Sequence, residues 1–147
     1  MRFPPLFDTC VFIGGYQDSV KAFPNYYVAA VVIQELLVGK NRDSQQRLLA
    51  GAEELAARRR LLTPTKDDWF AVGQCLGKLL RLNRGTVGGL TKDAVNLLVR
   101  DCLIARCAML VNAMVVTINT QDFGGIKTVW PRLQYTTPDS FFLTRPR

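Results

Sequence analysis

The sequence contains no histidine, and this absence removes several kinds of active site. Without an imidazole, the chain cannot carry a Ser-His-Asp or Cys-His hydrolytic site, nor a zinc site with histidine ligands. Any hydrolytic chemistry must therefore use carboxylates, hydroxyls, amines or a metal ion that is held by oxygen atoms.

Long hydrophobic segments and closely paired cysteines are also missing. The longest apolar run, YYVAAVVI, ends before Gln34 and is too short to span a bilayer. No charged segment followed by an apolar one occurs at the start, so we expect no signal peptide and a cytoplasmic location. No Cys-x-x-Cys pair occurs, and we expect all four cysteines to be reduced: Cys10, Cys75, Cys102 and Cys107.

The overall composition is that of a globular protein with a positive charge. The 147 residues are 48% hydrophobic and 21% charged, which predicts a single domain over 1–147. Nineteen basic residues against twelve acidic ones give a net charge of +7. Such a surface favours a polyanion through counterion release. Solubility alone explains the same charge, so both interpretations stay open at this point.

The apolar pattern alternates between short strands and helices. We predict strands that end at Asp8 and that cover 61–64, 113–118 and 132–137. We predict helices over 26–39, 44–60, 65–83 and 91–110, with Ser44 and Thr65 as candidate caps. Residues 121–126 are expected to form a turn or a short helical segment, and Pro138 to begin a tail. This alternation predicts an α/β fold with helices on both faces of a parallel sheet.

Two acidic residues follow predicted strands. Asp8 comes at the end of the first strand, and Asp122 comes just beyond the third, after Thr117 and Asn119. In open α/β sheets, functional sites lie beyond the carboxyl ends of the strands. Helix capping, or an Asx-type turn, is the alternative explanation for each acid taken alone.

Two further acids lie on the apolar stripes of predicted helices. Asp101 falls among Ala and Leu residues, on the side of its helix from which Arg100 and Arg106 point away. Glu35 lies on a stripe of valines. A carboxylate in such a place must be paired, protonated or bound to a metal ion. A salt bridge from Asp101 to another element, or a Glu35 that reaches solvent, is the alternative.

A metal ion would explain all four acids together. Four uncompensated carboxylates repel one another strongly, and a divalent cation removes that conflict. Oxygen ligands suit Mg²⁺ or Mn²⁺, which can activate a water and bind a phosphoryl oxygen. A basic rim around such a pocket suits a phosphodiester polymer. The residues therefore predict metal-dependent hydrolysis of phosphodiester bonds.

Four segments of the sequence resemble the motifs of a known family. FDTCVFI, IQELLVG, RDCLIARCAML and VVTINTQDF are similar to the four motifs of PIN-domain ribonucleases, in the same order and over essentially the whole chain. The nearest branch is the VapC-type toxins of bacterial type II toxin–antitoxin modules. The resemblance implies a PIN-like three-layer α/β/α sandwich around a central parallel sheet. It also implies RNA cleavage with Mg²⁺ or Mn²⁺, inhibition by a cognate antitoxin, and a homodimer or toxin–antitoxin hetero-oligomer.

The motifs also imply roles for individual residues. The implied catalytic residues are Asp8, Glu35, Asp101 and Asp122. The implied metal ligands are Asp8, Asp101 and Asp122, and the resemblance leaves open whether Glu35 binds the ion or orients a water. Polar neighbours implied to fix the carboxylates by hydrogen bonds are Thr9, Thr117 and Asn119. The sequence departs from many relatives at Cys10, where they carry Asn or Ser, and at Arg106.

Three other features bear on the function. Candidate RNA contacts are the basic residues Lys40, Arg42, Arg58, Arg59 and Arg60, although the last three also suit a solvated helix end. The glycine-rich segment 83–92 is a candidate substrate loop without the Gly-Lys-Ser/Thr of a P-loop. Asp93, about 80° from Asp101 around the helix axis, is interpreted as a cap or surface residue.

Two other functions stay open from the sequence. One is a degenerate domain that holds RNA or a protein partner without cutting. The presence of all four motif acids argues against it. The other is a housekeeping RNA-processing nuclease with the same acidic pocket.

Overall fold

The computed structural model describes residues 2–82 and 91–144. Most of the candidate substrate loop, 83–90, lies outside these residues. The described strands are β1 (Pro5–Phe7), β2 (Val28–Ala29), β3 (Leu61–Leu62), β4 (Met114–Val116) and β5 (Gln134–Thr136). The described helices are α1 (Thr9–Ile13), α2 (Gln17–Lys21), α3 (Ala30–Val38), α4 (Arg42–Ala57), α5 (Lys66–Leu82), α6 (Lys92–Asn96), α7 (Val99–Leu110), α8 (Thr120–Val129) and α9 (Pro138–Leu143).

The strands are parallel and lie side by side. They pair in the order β1-β4-β5, and β2 pairs separately with β3. Tyr27 joins the two groups, because its carbonyl accepts from Phe7 N at 3.1 Å and its amide donates to Pro5 O at 2.9 Å. Since all strands run the same way, their carboxyl ends meet at one edge of the sheet.

Helices cover both faces of this sheet. Side chains alternate between the faces along each strand. Leu6 of β1 and Val115 of β4 enter the larger core, formed with α3 to α8. Phe7 and Val116, their neighbours in sequence, enter a second core with α1, α2 and α9. The predicted α/β/α sandwich around a parallel sheet is therefore confirmed.

The predicted helix over 26–39 begins instead with a strand. Val28 pairs with Leu61 and Ala29 with Leu62, and the helix starts only at Ala30. The Val28 amide donates to the carbonyl of Arg60 at 3.0 Å. A backbone partner that is distant in sequence thus replaces the local helical partner, which the apolar pattern could not reveal.

The predicted long helix over 91–110 is also wrong, because it is broken at Leu97 and Leu98. The break separates α6 from α7 and changes the helical phase. Leu97, which periodicity placed on the buried stripe, is 82% exposed. Side-chain directions counted through this turn therefore do not hold for the residues on either side of it.

One predicted helix cap needs correction, and one of two alternatives for a later segment is confirmed. Asn41, not Ser44, caps α4: the Asn41 side chain accepts from the Ser44 amide at 2.9 Å. Residues 121–126, expected to form a turn or a short helical segment, are helical and lie inside α8. There, a Cβ on Gly124 would lie 3.1 Å from the Tyr135 hydroxyl oxygen, so this glycine permits close packing rather than a change of direction.

The expected C-terminal tail forms a helix up to Leu143. Thr137 caps α9 by accepting from the Ser140 amide at 3.2 Å, and Pro138 occupies its first turn. Phe141 packs edge-on against Phe7, with ring centroids 5.7 Å apart. Tertiary packing of one aromatic side chain thus fixes a segment that sequence reasoning treated as peripheral.

Cysteine and membrane predictions can be compared with the described residues. All four cysteines are free thiols, and all but Cys10 are buried. No helix among residues 2–82 and 91–144 combines the length and apolar character needed to cross a membrane.

A buried ion pair joins α5 to α7. Asp68 Oδ1 accepts from Arg106 Nε at 2.9 Å, and Asp68 Oδ2 accepts from the amide and the hydroxyl of Thr65 at 2.8 and 2.9 Å. The Asp68 side chain is only 3% exposed. Burial by itself would raise the pKa of Asp68, but the hydrogen bonds from Thr65 and Arg106 hold that pKa below its ordinary value.

Replacing Asp68 should destabilise the fold. We expect Asp68→Asn to lower the free energy of unfolding by about 2–4 kcal/mol at pH 7, because Arg106 loses its counter-charge. Since the pKa of Asp68 is lowered in the folded state, this contribution is present above about pH 4 and is lost as the pH falls through the folded-state value. The difference between the two proteins should therefore shrink toward about pH 3, as measured by urea denaturation.

Asp67→Asn is the matched control. The Asp67 carboxylate lies 3.9 Å from Lys66 Nζ, and both side chains are more than three-quarters exposed. Its loss should change stability by less than about 0.5 kcal/mol. Equal effects of the two substitutions would contradict the structural role of Asp68.

Candidate active site

The predicted catalytic acids come from four different elements and meet at the carboxyl edge of the sheet. Asp8 follows β1 and caps α1, and Asp122 lies in the first turn of α8 after β4. Asp101 lies in the first turn of α7, and Glu35 lies on α3. Three of the four acids line one pocket of about 260 Å³: Asp8, Glu35 and Asp101. Asp122 joins them through the Asn119 side chain, which it shares with Asp101.

Asp8 is held on both of its oxygens. The hydroxyl of Thr117, which is fully buried, donates to Asp8 Oδ2 at 2.7 Å. The amide of Thr9 donates to Asp8 Oδ1 at 2.7 Å. Burial raises the pKa of Asp8, and these two bonds oppose the rise. The carboxylate is therefore fixed in direction where β1 and β4 end side by side.

Asn119 connects the acids of α7 and α8. Its side-chain nitrogen, Nδ2, donates to Asp101 Oδ2 at 2.9 Å and to Asp122 Oδ2 at 2.8 Å. Its backbone amide donates to the Thr117 hydroxyl at 3.0 Å. One short segment after β4 thus contacts three of the four acids, because Thr117 also holds Asp8.

Glu35 is held by a hydroxyl and a cation. Thr9 Oγ1 donates to Glu35 Oε2 at 3.0 Å, and Arg100 Nη1 lies 3.4 Å from Glu35 Oε1. The helical count turned Arg100 away from Asp101, and no role was predicted for it. Its side chain nevertheless reaches α3 and takes part in the site. Its position directly before Asp101 was the signal in the sequence that could have identified it.

The acids influence one another electrostatically. Burial, the charges of Asp8 and Asp122, a hydrogen bond with Asp122, and the charge of Glu35 raise the pKa of Asp101 to about 7. Asp101 therefore carries a proton at neutral pH in a substantial fraction of molecules. The charges of the three other acids thus act on Asp101, and the negative charge of the site is incompletely neutralised.

The donor set is suited to a hard divalent cation. Within the described part of the chain, no three acidic or thiol side chains are already arranged as metal ligands. The Asn119 amide bridges two of the acids, and Glu35 faces Thr9 and Arg100. Carboxylate oxygens with uncompensated charge nevertheless match the preferences of Mg²⁺ and Mn²⁺.

Cys10, where the sequence departs from the motif, also lies in this pocket. Its sulfur accepts from the Ile118 amide at 3.3 Å and lies 3.9 Å from Thr117 Oγ1. The thiol thereby occupies a place between α1 and the segment after β4. This contact with the backbone occupies the position where the motif resemblance led us to expect a polar side chain.

The basic residues that were predicted to contact RNA do not interact with the four acids in the described part of the chain. In the described residues, no ion pair or hydrogen bond joins the carboxylates to Lys40, Arg42, Arg58, Arg59 or Arg60. Arg60 instead lies over the Tyr27 ring, 4.5 Å from its centroid. Asp93 is exposed in the first turn of α6, as its interpretation as a surface residue requires.

No family model matches the sequence, and no curated protein matches it significantly. The fold, however, is found in solved structures. A chain of DNA-bound VapBC from Salmonella typhimurium aligns with a TM-score of 0.57 and 20% identity, over 92% of this chain and 98% of that one. A chain of VapBC2 from Rickettsia felis, bound to a promoter DNA fragment, gives 0.56 and 22%, over 90% and 97%.

VapBC-1 from nontypeable Haemophilus influenzae provides a third match. Its aligned chain has a TM-score of 0.55 and 18% identity, over 90% of this chain and 96% of that one. At these identities, the likeness establishes a shared fold along nearly the full length of both chains.

Removal of the Asp101 charge should stabilise the protein increasingly as the pH rises from about 4 to about 8. The folded state holds the Asp101 proton up to about pH 7, whereas the unfolded chain releases it near pH 4. The stability given by the protonated form is thus complete below about pH 4 and is lost as the pH rises through about 7. The free energy of unfolding of Asp101→Asn should therefore rise relative to that of wild type by on the order of 1–3 kcal/mol between about pH 4 and pH 8.

Urea denaturation in the presence of a chelator measures this gain. Asp93→Asn is the matched control, because Asp93 is exposed and should show no pH-dependent gain. Parallel pH profiles of Asp101→Asn and wild type would refute the proposed coupling of the carboxylates.

Removal of the Thr117 hydroxyl should loosen Asp8. Thr117→Val deletes a hydrogen bond that favours the charged carboxylate, so the pKa of Asp8 should rise further, as read by NMR titration. We expect Mn²⁺ affinity to fall about 10- to 100-fold. Thr128→Val, which removes an exposed hydroxyl bonded only to the Gly125 carbonyl in the described structure, should leave both quantities unchanged.

Proposed function

We propose that this chain is a metal-dependent endoribonuclease and the toxin component of a toxin–antitoxin module. The observation that carries the proposal is the gathering of four carboxylates at the carboxyl edge of a parallel sheet, where Asp101 has a pKa of about 7. A protein without histidine that concentrates negative charge in this way suits a divalent cation and a phosphodiester substrate.

The metal ion would be Mg²⁺ or Mn²⁺, with Asp8, Asp101 and Asp122 as its ligands. When bound, such an ion lowers the pKa of water and neutralises charge that develops on a phosphate. Hydrogen bonds from Thr117 and Thr9 orient the Asp8 carboxylate. The four carboxylates also favour cation binding, because a bound cation relieves their mutual repulsion.

Asn119 and Glu35 have distinct parts in this proposal. The Asn119 amide, which bridges Asp101 and Asp122, keeps these two carboxylates close in the metal-free protein and would orient them toward the ion. Glu35 retains a charged partner in Arg100 and lines the pocket. In this proposal its carboxylate would hydrogen-bond a water in the pocket and accept a proton from it.

The partner and the location are proposed from the family resemblance and the shared fold. The structural neighbours are VapBC assemblies, and two of the three compared are bound to DNA. We propose a cognate antitoxin that inhibits the nuclease, assembly as a homodimer or as a toxin–antitoxin hetero-oligomer, and action on cytoplasmic RNA. The basic balance of the chain supports an RNA substrate through long-range attraction.

Cleavage of total cellular RNA by the purified, antitoxin-free protein tests this function. We expect discrete fragments with Mg²⁺ or Mn²⁺ and none with chelator. Asp8→Asn and Asp101→Asn should each lower the rate at least about 100-fold, because each removes a charged ligand. Asp93→Asn, a matched change at an exposed acid, should cleave like wild type.

Two outcomes separate the alternatives. If the folded protein binds RNA but never cleaves it, with any metal, the nuclease proposal fails and an RNA-binding module remains. If it cleaves but its expression does not arrest bacterial growth, the toxin role fails and a housekeeping nuclease remains. Growth arrest by wild type, but not by Asp101→Asn, is the expected result.

A further inference from the structure

Arg100 is a basic side chain that contacts Glu35, one of the four acids of the site. Its Nη1 lies 3.4 Å from Glu35 Oε1, and its charge lowers the pKa of Asp8. The Arg100 side chain is 60% exposed, whereas that of Glu35 is 23% exposed. The guanidinium therefore lies beside Glu35, one of the residues that line the pocket, and much of it is open to solvent.

The hydrogen-bonding capacity of Arg100 is largely unused. Its contact with Glu35 is an ion pair, and the described structure gives its side chain no hydrogen bond. Arg106, on the same helix, differs: its Nε donates to the buried Asp68 at 2.9 Å. A guanidinium presents five N–H donors in a planar fork that matches two oxygens of one phosphate. The fork of Arg100 is available for such a ligand.

The net charge of the site indicates why a guanidinium beside the carboxylates would matter for an anionic substrate. When a bound metal ion keeps all four carboxylates ionised, the acids and the Arg100 guanidinium together carry a formal charge of −3 before the charge of the ion is counted. A divalent cation reduces this charge to about −1, which still repels a phosphate. Without Arg100 the corresponding charge would be about −2. An anionic substrate therefore needs Arg100, or a cation at the same place, to approach the carboxylates.

We propose that Arg100 binds the non-bridging oxygens of an RNA phosphate at this site, and that it exchanges Glu35 for that phosphate when RNA arrives. The inference rests on the proposed function for the identity of the substrate. It goes further by assigning the phosphate contact to a residue outside the predicted basic set, and by treating the ion pair with Glu35 as the resting position of the guanidinium.

Binding of a single-stranded RNA oligonucleotide with natural phosphates tests the assignment, with Ca²⁺ in place of Mg²⁺ or Mn²⁺ as the oxygen-bound cation so that the strand stays intact. We expect Arg100→Gln to bind about 10- to 100-fold more weakly than wild type. The slope of log affinity against log salt concentration should decrease by about 0.7, the value expected when one phosphate fewer is neutralised by the protein. Arg100→Lys should keep the slope, because its charge is retained, but should bind with intermediate affinity because it lacks the fork.

Arg132→Gln is the matched control. Arg132 is exposed and precedes β5, so it lies near the edge of the sheet opposite to the carboxylates. Its replacement should change affinity less than about twofold and leave the slope unchanged. Mn²⁺ affinity without RNA, measured by electron paramagnetic resonance, should be equal or higher in Arg100→Gln, because a competing positive charge is gone.

The readouts separate this inference from the proposed function. An unchanged salt slope, or an absence of Mn²⁺ binding in Arg100→Gln, would overturn the phosphate assignment and leave Arg100 as a support for Glu35. Failure of the wild type to cleave RNA would remove the nuclease function while the binding slope still decides the role of Arg100. Wild-type protein that does not bind the oligonucleotide would overturn both.

Discussion

Repulsion among four carboxylates is the constraint on which this structure depends. Asp8, Glu35, Asp101 and Asp122 are close enough for Asp101 to have a pKa of about 7. A protein gains no stability from such an arrangement, because each charge raises the free energy of the others. The site is therefore maintained against its own electrostatics by the sheet and by the hydrogen bonds around it.

Neutral donors and one cation hold the acids in place. Thr117 and Thr9 contact Asp8, Asn119 bridges two acids, and Arg100 offsets Glu35. The Thr117 and Asn119 bonds depend on the parallel alignment of β1 and β4, which brings the end of β4 beside Asp8. The buried pair of α5 and α7 is a separate, stabilising use of charge, since each partner there has its counter-ion. The molecule thus separates the charges that stabilise it from those available to a ligand.

The sequence determined much of this protein by itself. The lack of histidine limited the chemistry, and alternating apolar segments predicted the α/β sandwich. The four acids could be chosen in advance because each was out of place locally: a carboxylate beyond a strand or on an apolar stripe has no local partner. Their polar neighbours were implied by the resemblance of four segments to the motifs of a known family. A residue whose polarity does not match that of its neighbours along the chain can be recognised from the sequence alone.

Tertiary structure decided the rest, because it depends on partners that are distant in sequence. Val28 became a strand residue through the backbone of Arg60, and Phe141 became a core residue through Phe7. Arg100 entered the site because its long side chain on α7 reached Glu35 on α3. Periodicity describes neighbours along one element. It gives no information about which elements meet, and that meeting created both the pocket and its cation.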